Sequence, residues 1–264
     1  MPSSPTHERV RRLFARRRRR NRTRDWSELP LDVICSIFHK LDQTEILMGA
    51  GQVCRSWRSA ARDEPHLWRR IHMPLHSEAY LLGMAREAVL RSKGLCEAFF
   101  GECAADDDFL LYLGTQAPSL KSLRLIKCYD VSTKGFIKAI KKFPQLEELE
   151  LDLCTDVYGM RVFNTVGRAC QQLKRLKLTH HNFYNLRGRG FRKDAEALGI
   201  ATMTELRSLE MFGNNVTNKG LIAILDSCPH LESLDIRRCF NVNIDDDALR
   251  EKCALITTLK LPKD

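Results

Sequence analysis

Residues 120–128 read LKSLRLIKC, and residues 146–154 read LEELELDLC. Both stretches follow the pattern L-x-x-L-x-L-x-x-N/C, in which x is any residue. Related copies, some of them degenerate, start at positions 95, 120, 146, 173, 206, 231 and 256. The steps between these starts are 25, 26, 27, 33, 25 and 25 residues. A period held this closely indicates a repeat architecture. The degenerate first copy is read as Leu95, Ala98, Phe100 and Cys103.

The pattern within each copy predicts a short strand whose leucines point inward, followed by a turn and a helix. No copy can bury its apolar face alone, so successive copies must stack into one continuous core. Helices are predicted around residues 109–113, 135–143 and 221–225, and the acids at 106–108 and 245–247 suit helix N-termini. The pattern resembles cysteine-containing leucine-rich repeats. That resemblance implies an α/β repeat fold, a curved solenoid with parallel strands on its concave face and helices outside.

The repeat pattern also accounts for most of the ten cysteines. Cys103, Cys128, Cys154 and Cys239 take the N/C position of their copies, whereas Cys170, Cys228 and Cys253 each lie three residues before the next copy. We therefore expect buried packing residues rather than disulfides, and the absence of a C-x-x-C pair speaks against zinc. The sequence predicts no metal site and no cofactor.

The segment before the repeats, residues 25–72, carries three short helical patterns. Leu31, Ile34, Phe38 and Leu41 form an apolar stripe, with Val33 and Ile37 beside it. Asp42 or Thr44 can cap a second helix, and a third carries Val53, Trp57 and Ala60 on one face. So short a segment can hardly bury all its large apolar side chains within itself. We expect part of that surface to meet another protein, although a cap packed only on its own chain remains an alternative.

Several spaced residues of this segment follow one family pattern: Leu29-Pro30, Ile34, Ile37-Phe38, Leu41, Val53-Cys54-Arg55-x-Trp57-Arg58 and Leu67-Trp68. This pattern resembles an F-box. In that family a three-helix motif binds the Skp-like adaptor of a cullin-RING (SCF-type) ubiquitin ligase. Carried over, the residues that form or support the adaptor-binding surface are Leu29, Pro30, Ile34, Phe38, Val53 and Trp57.

The domain organisation predicted from these patterns has four parts. They are a disordered Arg-rich arm at 1–24, the F-box at 25–72, a helical linker at 73–92, and about seven leucine-rich repeats at 93–264, the last incomplete. Residues 1–25 hold ten arginines against Glu8 and Asp25, so most of the net charge of +10 belongs to the arm. A nuclear-localisation patch and a solvated arm without a specific ligand are both open, and specific nucleic-acid binding is disfavoured because the run contains no aromatic residue.

Two surfaces are candidates for binding a target. One is the row of concave-face residues Arg124, Glu150, Lys177, Glu210, Asp235 and Lys260, with Phe212 expected to be exposed beside it. The row reads either as a self-neutralising ladder of charges or as a recognition face. The other is an insertion at 180–194, where the step lengthens to 33 residues and which contains Phe183, Tyr184, Arg187 and Arg189. A tolerated surface insertion is the alternative there.

The combined pattern resembles the plant-type F-box/leucine-rich-repeat proteins, substrate receptors of SCF ubiquitin ligases. It implies a non-catalytic subunit in the nucleus or cytoplasm, whose partners are a Skp-like adaptor, a cullin through that adaptor, and a protein target. The sequence shows no P-loop, G-x-S-x-G or H-E-x-x-H motif and no apolar run of about 18 residues. A repeat scaffold acting outside ubiquitin ligation is the alternative.

Overall fold

The computed structural model describes residues 25–75, 80–180 and 193–262. The Arg-rich arm and the candidate residues Phe183, Tyr184, Arg187 and Arg189 lie outside these ranges. Three short helices form the N-terminal module: α1 (Leu31–Phe38), α2 (Gln43–Met48) and α3 (Arg55–Asp63). A short 3₁₀ turn over Pro65–Trp68 leads from the module into a sheet.

The rest of the chain alternates strands and helices around one parallel eight-stranded sheet in the order β1 to β8. The strands are β1 (Arg70–Met73), β2 (Ala98–Glu102), β3 (Ser122–Ile126), β4 (Glu148–Asp152), β5 (Arg175–Thr179), β6 (Ser208–Phe212), β7 (Ser233–Asp235) and β8 (Thr258–Lys260). The helices between them are α4 (Leu81–Arg91), α5 (Asp107–Gln116), α6 (Thr133–Ile140), α7 (Met160–Ala169), α8 (Ala195–Ile200), α9 (Asn218–Ser227) and α10 (Asp247–Cys253). Each strand pairs with its sequence neighbours, so the predicted solenoid with parallel strands and flanking helices is confirmed.

The leucines of the repeat pattern point into the core between sheet and helices. Leu123 and Leu125 of β3 are fully buried, whereas Arg124 between them is exposed. The same alternation runs through the sheet because neighbouring strands are in register, as in Leu123↔Leu149 and Leu149↔Leu176. Helices begin where acids were expected, since Asp106 Oδ1 accepts the Phe109 N–H at 2.6 Å and Asp246 caps α10 in the same way.

The first, degenerate repeat lies one residue later than the sequence reading placed it. Phe99, not Ala98, is in register with Leu123, and Gly101 rather than Phe100 is in register with Leu125. A Cβ on Gly101 would stand 2.8 Å from Phe99 Cε1, so the large ring fills the space that a leucine occupies in other repeats. The prediction of Leu95, Ala98, Phe100 and Cys103 was therefore wrong. Phe99 and Gly101 stand where other repeats have two leucines, so the leucine pattern cannot be seen in this copy.

One strand precedes the copies counted in the sequence. Trp68, Ile71 and Met73 repeat the spacing of the leucine pattern, and all three are buried. Because β1 pairs with β2 in parallel, the segment expected as a linker at 73–92 contains α4, which is the helix of a first repeat-like unit. The module is tied to this unit, since Gln43 Oε1 accepts the His72 N–H at 2.7 Å.

Several buried cysteines bond backbone carbonyls of the preceding repeat. Cys154 Sγ lies 3.4 Å from Leu125 O, and Cys239 Sγ lies 2.9 Å from Met211 O. Cys170 does the same at the helix side, with Phe143 O at 3.4 Å. Burial raises the pKa of Cys170 and of Cys239 to about 12, so these thiols stay protonated and unreactive at neutral pH. With the register corrected, Ala104 takes the place predicted for Cys103.

A buried ion pair closes the repeat that contains the insertion. His180 follows β5, and its Nε2 lies 3.2 Å from Glu196 Oε2 on α8; 17% and 10% of these side chains are exposed. The same carboxylate accepts from Asn214 Nδ2 at 2.6 Å and from the Gly159 N–H at 3.2 Å. Glu196 was not predicted from the sequence. The signal that could have found it is Asn214, whose amide stands at the N/C position of the next copy and requires a buried partner.

Each member of the pair shifts the pKa of the other. Burial would lower the pKa of His180, but the charge and hydrogen bond of Glu196 outweigh it and raise that pKa. Burial would raise the pKa of Glu196, but His180, Asn214 and the Gly159 N–H lower it. The histidine stabilises the fold below its ordinary pKa of 6.5, and that contribution is lost as the pH rises through the raised value. The glutamate contributes above its ordinary 4.5, so both act together between the two ordinary values.

Replacing Phe99 by alanine should lower the free energy of unfolding by about 3–5 kcal/mol, because it empties a core position. Replacing Phe100 should cost only about 1 kcal/mol, since that ring lies on the open face against His72, with centroids 4.3 Å apart. Urea unfolding of the two variants measures the difference. A larger loss for Phe100→Ala would mean that the first repeat is in the register originally read from the sequence.

His180→Gln should destabilise the protein by about 3 kcal/mol near pH 5.5, because it leaves the Glu196 carboxylate buried without its cation. The loss should shrink as the pH rises through the raised pKa of His180, where the histidine of the native protein also becomes neutral. Unfolding free energies from pH 5 to 9 measure it. The control is Lys174→Gln, which removes a surface pair with Glu147 (2.7 Å) and should change stability by less than about 1 kcal/mol at any pH. A loss that is independent of pH would contradict the assignment.

Candidate functional site

The N-terminal module divides its candidate residues between a buried framework and an outer surface. Ile34, Phe38 and Trp57 are buried, with 1%, 1% and 6% of each residue exposed. They can support a binding surface but cannot form it. Leu29 is half-buried, and Pro30, which caps α1 with extended backbone, is exposed.

Trp57 is the centre of that framework. Its ring contacts Phe38 edge to face with centroids 5.5 Å apart, and Trp26 approaches from the other side at 6.3 Å. The indole Nε1 donates to Trp26 O at 2.9 Å, and Ser56 Oγ donates to Ser27 O at 3.2 Å. These bonds hold the chain before α1 against α3, and thereby fix where Leu29 and Pro30 emerge.

The surface of the module includes several exposed apolar side chains. Leu31, Val33, Met48 and Val53 expose 51%, 39%, 64% and 52% of their area. Leu31 and Val33 belong to the apolar region predicted for α1, and Val53 was predicted to form or support the adaptor-binding surface; all three side chains are exposed. These residues lie on α1, on α2 and just before α3. Several exposed apolar side chains in so small a module are typical of a protein-binding surface.

On the concave face of the array, the predicted row of charges largely neutralises itself. Arg124 Nε lies 3.7 Å from Glu150 Oε2, and Lys177 Nζ lies 2.6 Å from Glu150 Oε1. Arg124 also reaches Glu148, at 3.5 Å. These pairs follow from strand register, because Arg124↔Glu150 and Glu150↔Lys177 are Cα partners. Exposed pairs of this kind contribute little to stability, at most about 1 kcal/mol each.

The row ends differently at β7 and β8. Asp235 is buried and bonds Arg237 Nη2 at 2.8 Å and Lys260 Nζ at 3.4 Å. Burial would raise the pKa of Asp235, but the hydrogen bonds and charge of Arg237, with Lys260, hold it below its usual range. Phe212, expected to be exposed, is half-buried because the guanidinium groups of Arg237 and Arg238 lie 6.0 and 5.2 Å from its ring centroid.

Neither a metal-binding group nor a membrane-spanning helix is found among residues 25–75, 80–180 and 193–262. In those ranges no group of three or more His, Cys, Asp or Glu side chains could hold a metal ion. No helix there is long and apolar enough to cross a bilayer. The candidate sites of the described chain are therefore two surfaces, the apolar face of the module and the concave face of the array.

Comparison with known proteins agrees with both parts of the structure. A model of the F-box-like family matches residues 26–74. A protein of Arabidopsis thaliana named as an F-box/LRR-repeat protein (number 23) is 38% identical over 91% of this chain and 54% of its own length. The F-box protein SKIP19 of the same plant is 40% identical over 91% of this chain and 78% of its own length. The chain thus spans about half of the first relative.

Among solved structures, a yeast complex of Rad7 and Elc1 aligns with 97% of this chain and 64% of that chain, at 14% identity and a TM-score of 0.41. A likeness of that size supports no conclusion about partners. The sequence relatives do decide the family, since F-box/LRR-repeat protein 22 of Arabidopsis thaliana is 40% identical over 91% of this chain and 78% of its own length. The three-helix module at residues 26–74 and the parallel repeat array behind it agree with that assignment. The chain belongs to the F-box/LRR-repeat family.

Proposed function

We propose that this protein is the substrate-recognition subunit of an SCF-type (cullin-RING) ubiquitin ligase. In this proposal the module binds a Skp-like adaptor, and a cullin through it, while the array binds a protein target. The observation that carries it is the match of residues 26–74 to the F-box-like family in a chain whose remaining structure is a repeat solenoid. The family implies a role in the ubiquitin pathway.

The surface of the module supports the adaptor half of the proposal. Leu31, Met48 and Val53 expose at least half of their area on a scaffold held rigid by the buried Trp57. A rigid apolar surface loses little conformational entropy on binding, which favours a tight contact with a partner. The hydrogen bond between Gln43 and His72 also links the module directly to β1 of the array.

The array supports the target half through its geometry. A solenoid presents a long concave face whose strand residues can be varied without changing the core, and this is how repeat proteins bind partners. The subunit itself need not catalyse anything, since holding a target beside a ubiquitin-charged enzyme raises the effective concentration of the reactants. We propose that the protein acts in the nucleus or cytoplasm.

The adaptor contact can be tested at Val53, which is exposed and lies outside the buried framework. Val53→Asp should reduce capture of a purified Skp-like adaptor by at least about tenfold, because the contact would bury an unpaired carboxylate. Tyr129→Asp is a matched control, since Tyr129 on the array is 53% exposed and Val53 is 52% exposed. Circular dichroism should show both variants folded.

The same experiment should include Trp57→Ala, whose loss of binding would by itself be ambiguous. That change removes a buried aromatic side chain, costs about 3–5 kcal/mol and can unfold the module. Folded native protein that captures no adaptor would overturn the proposed function and leave the scaffold alternative. Equal capture by native protein and Val53→Asp would show that the contact lies elsewhere on the module.

The insertion predicted as a target-binding segment can be tested without disturbing the fold. A deletion of 180–194 would remove His180 and Asp194, and Asp194 itself bonds Thr217 N and Oγ1 at 2.7 Å. We therefore expect a cleaner result from replacing residues 182–191 with glycine and serine in equal number. If the insertion binds the target, affinity capture with the proteasome blocked should lose one specific partner while adaptor capture persists. An unchanged set of partners would assign the segment to tolerated surface.

A further inference from the structure

The last three strands of the concave face carry a charge arrangement that the middle strands lack. At β3 to β5 the cations are matched by neighbouring acids, as Lys177 and Arg124 are by Glu150. At β7 and β8 the single buried carboxylate of Asp235 serves both Arg237 and Lys260. Glu210, the Cα partner of Asp235 on β6, is the other acid of this region. Among the described residues of this end, the three cations Arg237, Arg238 and Lys260 therefore outnumber the acids Asp235 and Glu210.

Arg238 holds the position after a strand at which the chain turns left-handed. Lys127 and Arg238 occupy equivalent places, with φ of 51° and 60°, although neither is glycine. Lys127 pairs with Glu102 at 2.8 Å, and His180 at the equivalent place pairs with Glu196 at 3.2 Å. In the described part of the chain, the Arg238 side chain has no such carboxylate and contacts the ring of Phe212 instead.

Phe212 provides a fixed platform for that guanidinium. Its carbonyl accepts the His180 N–H at 3.1 Å, and the next residue, Gly213, donates its N–H to Arg237 O at 3.3 Å. The guanidinium carbon of Arg238 lies 5.2 Å from the ring centroid. A guanidinium stacked on a ring keeps its N–H groups available for an acceptor, and its planar fork matches a carboxylate or a phosphoryl group in two bonds.

Arg237 and Lys260 complete the charged edge, and Asp235 fixes them. Arg237 Nε and Nη2 bond the two carboxylate oxygens of Asp235 at 3.0 and 2.8 Å, so its guanidinium is oriented without a ligand. Lys260 Nζ approaches the same carboxylate at 3.4 Å. A side chain already oriented in the free protein loses less entropy on binding, and this is the sense in which the edge is preorganised.

We infer that the edge formed by Phe212, Arg237, Arg238 and Lys260 is an anion-binding site for an acidic or phosphorylated segment of the target protein. Arg238 bonds the anion, and Phe212 positions the Arg238 guanidinium. Asp235 positions Arg237 and Lys260. The inference rests on the proposed function, since it names the class of target that the array recognises. A protein segment is favoured over a nucleic acid because the proposed function gives the array a protein target.

The test uses the full chain and three photo-activatable probes: a short polyglutamate peptide, a peptide of equal charge that carries phosphoserine, and a single-stranded oligonucleotide. Cross-linked residues are mapped by mass spectrometry, which separates labelling of this edge from labelling of the Arg-rich arm. Both Arg238→Gln and Phe212→Leu should lower cross-linking near Phe212 and Arg238, the first by about tenfold, as expected for the loss of a charged hydrogen bond. Arg175→Gln is the control, because Arg175 is an exposed cation of the same face paired with Glu148 at 3.0 Å.

Labelling of the edge by either peptide, lost in Arg238→Gln and kept in Arg175→Gln, supports the site, and the stronger peptide identifies the preferred anion. The site is overturned by labelling confined to the arm or by an equal loss in Arg238→Gln and Arg175→Gln. Stronger labelling of the edge by the oligonucleotide than by either peptide also overturns it. Adaptor capture is measured on the same proteins. Because Arg238 lies in the array and not in the module, the variant should still bind adaptor, so failure of this site and failure of the proposed function give different results.

Discussion

Stacking of neighbouring strands is the constraint on which the whole molecule depends. Each strand has only three to five residues, and its apolar side is covered by a helix of its own repeat and by the side chains of adjacent repeats. Burial of alternate residues such as Leu123 and Leu125 therefore stabilises the fold only when the next strand is present in register. Several cysteine thiols add polar bonds between repeats, because they reach a carbonyl of the preceding one, as Cys154 and Cys239 do.

The module shares in this constraint. Trp68 follows the third helix and begins the first repeat-like unit, and its indole Nε1 donates to Ala61 O at 2.9 Å. The same residue therefore ends the module and starts the core of the array. The module covers the N-terminal end of the core, while apolar side chains such as Leu31 and Val53 stay exposed. This division explains how so few residues can hold several large apolar side chains.

Much of the fold could be predicted from sequence because the leucine period is set by local chemistry. The degenerate unit at β2 could not be predicted. The large ring of Phe99 fills the space that a side chain at Gly101 would take, so the pattern L-x-x-L-x-L no longer appears. A shift of one residue moves every side chain of a strand to the other face, so the sequence reading assigned Phe100 to the core and left Phe99 outside. The unit at β1 was missed for a similar reason, since Trp68 takes the place of its first leucine.

The sequence by itself determined the repeat architecture, the three-helix module and the family resemblance, because each depends on residue types at fixed spacing. It also predicted the charged row, whose pairs follow directly from parallel register. Only the tertiary structure decided which module residues are exposed, that His180 pairs with Glu196 across the insertion, and that Arg238 lies on Phe212. Those outcomes depend on side chains from different repeats or helices meeting in space, and no spacing along one chain segment specifies such a meeting.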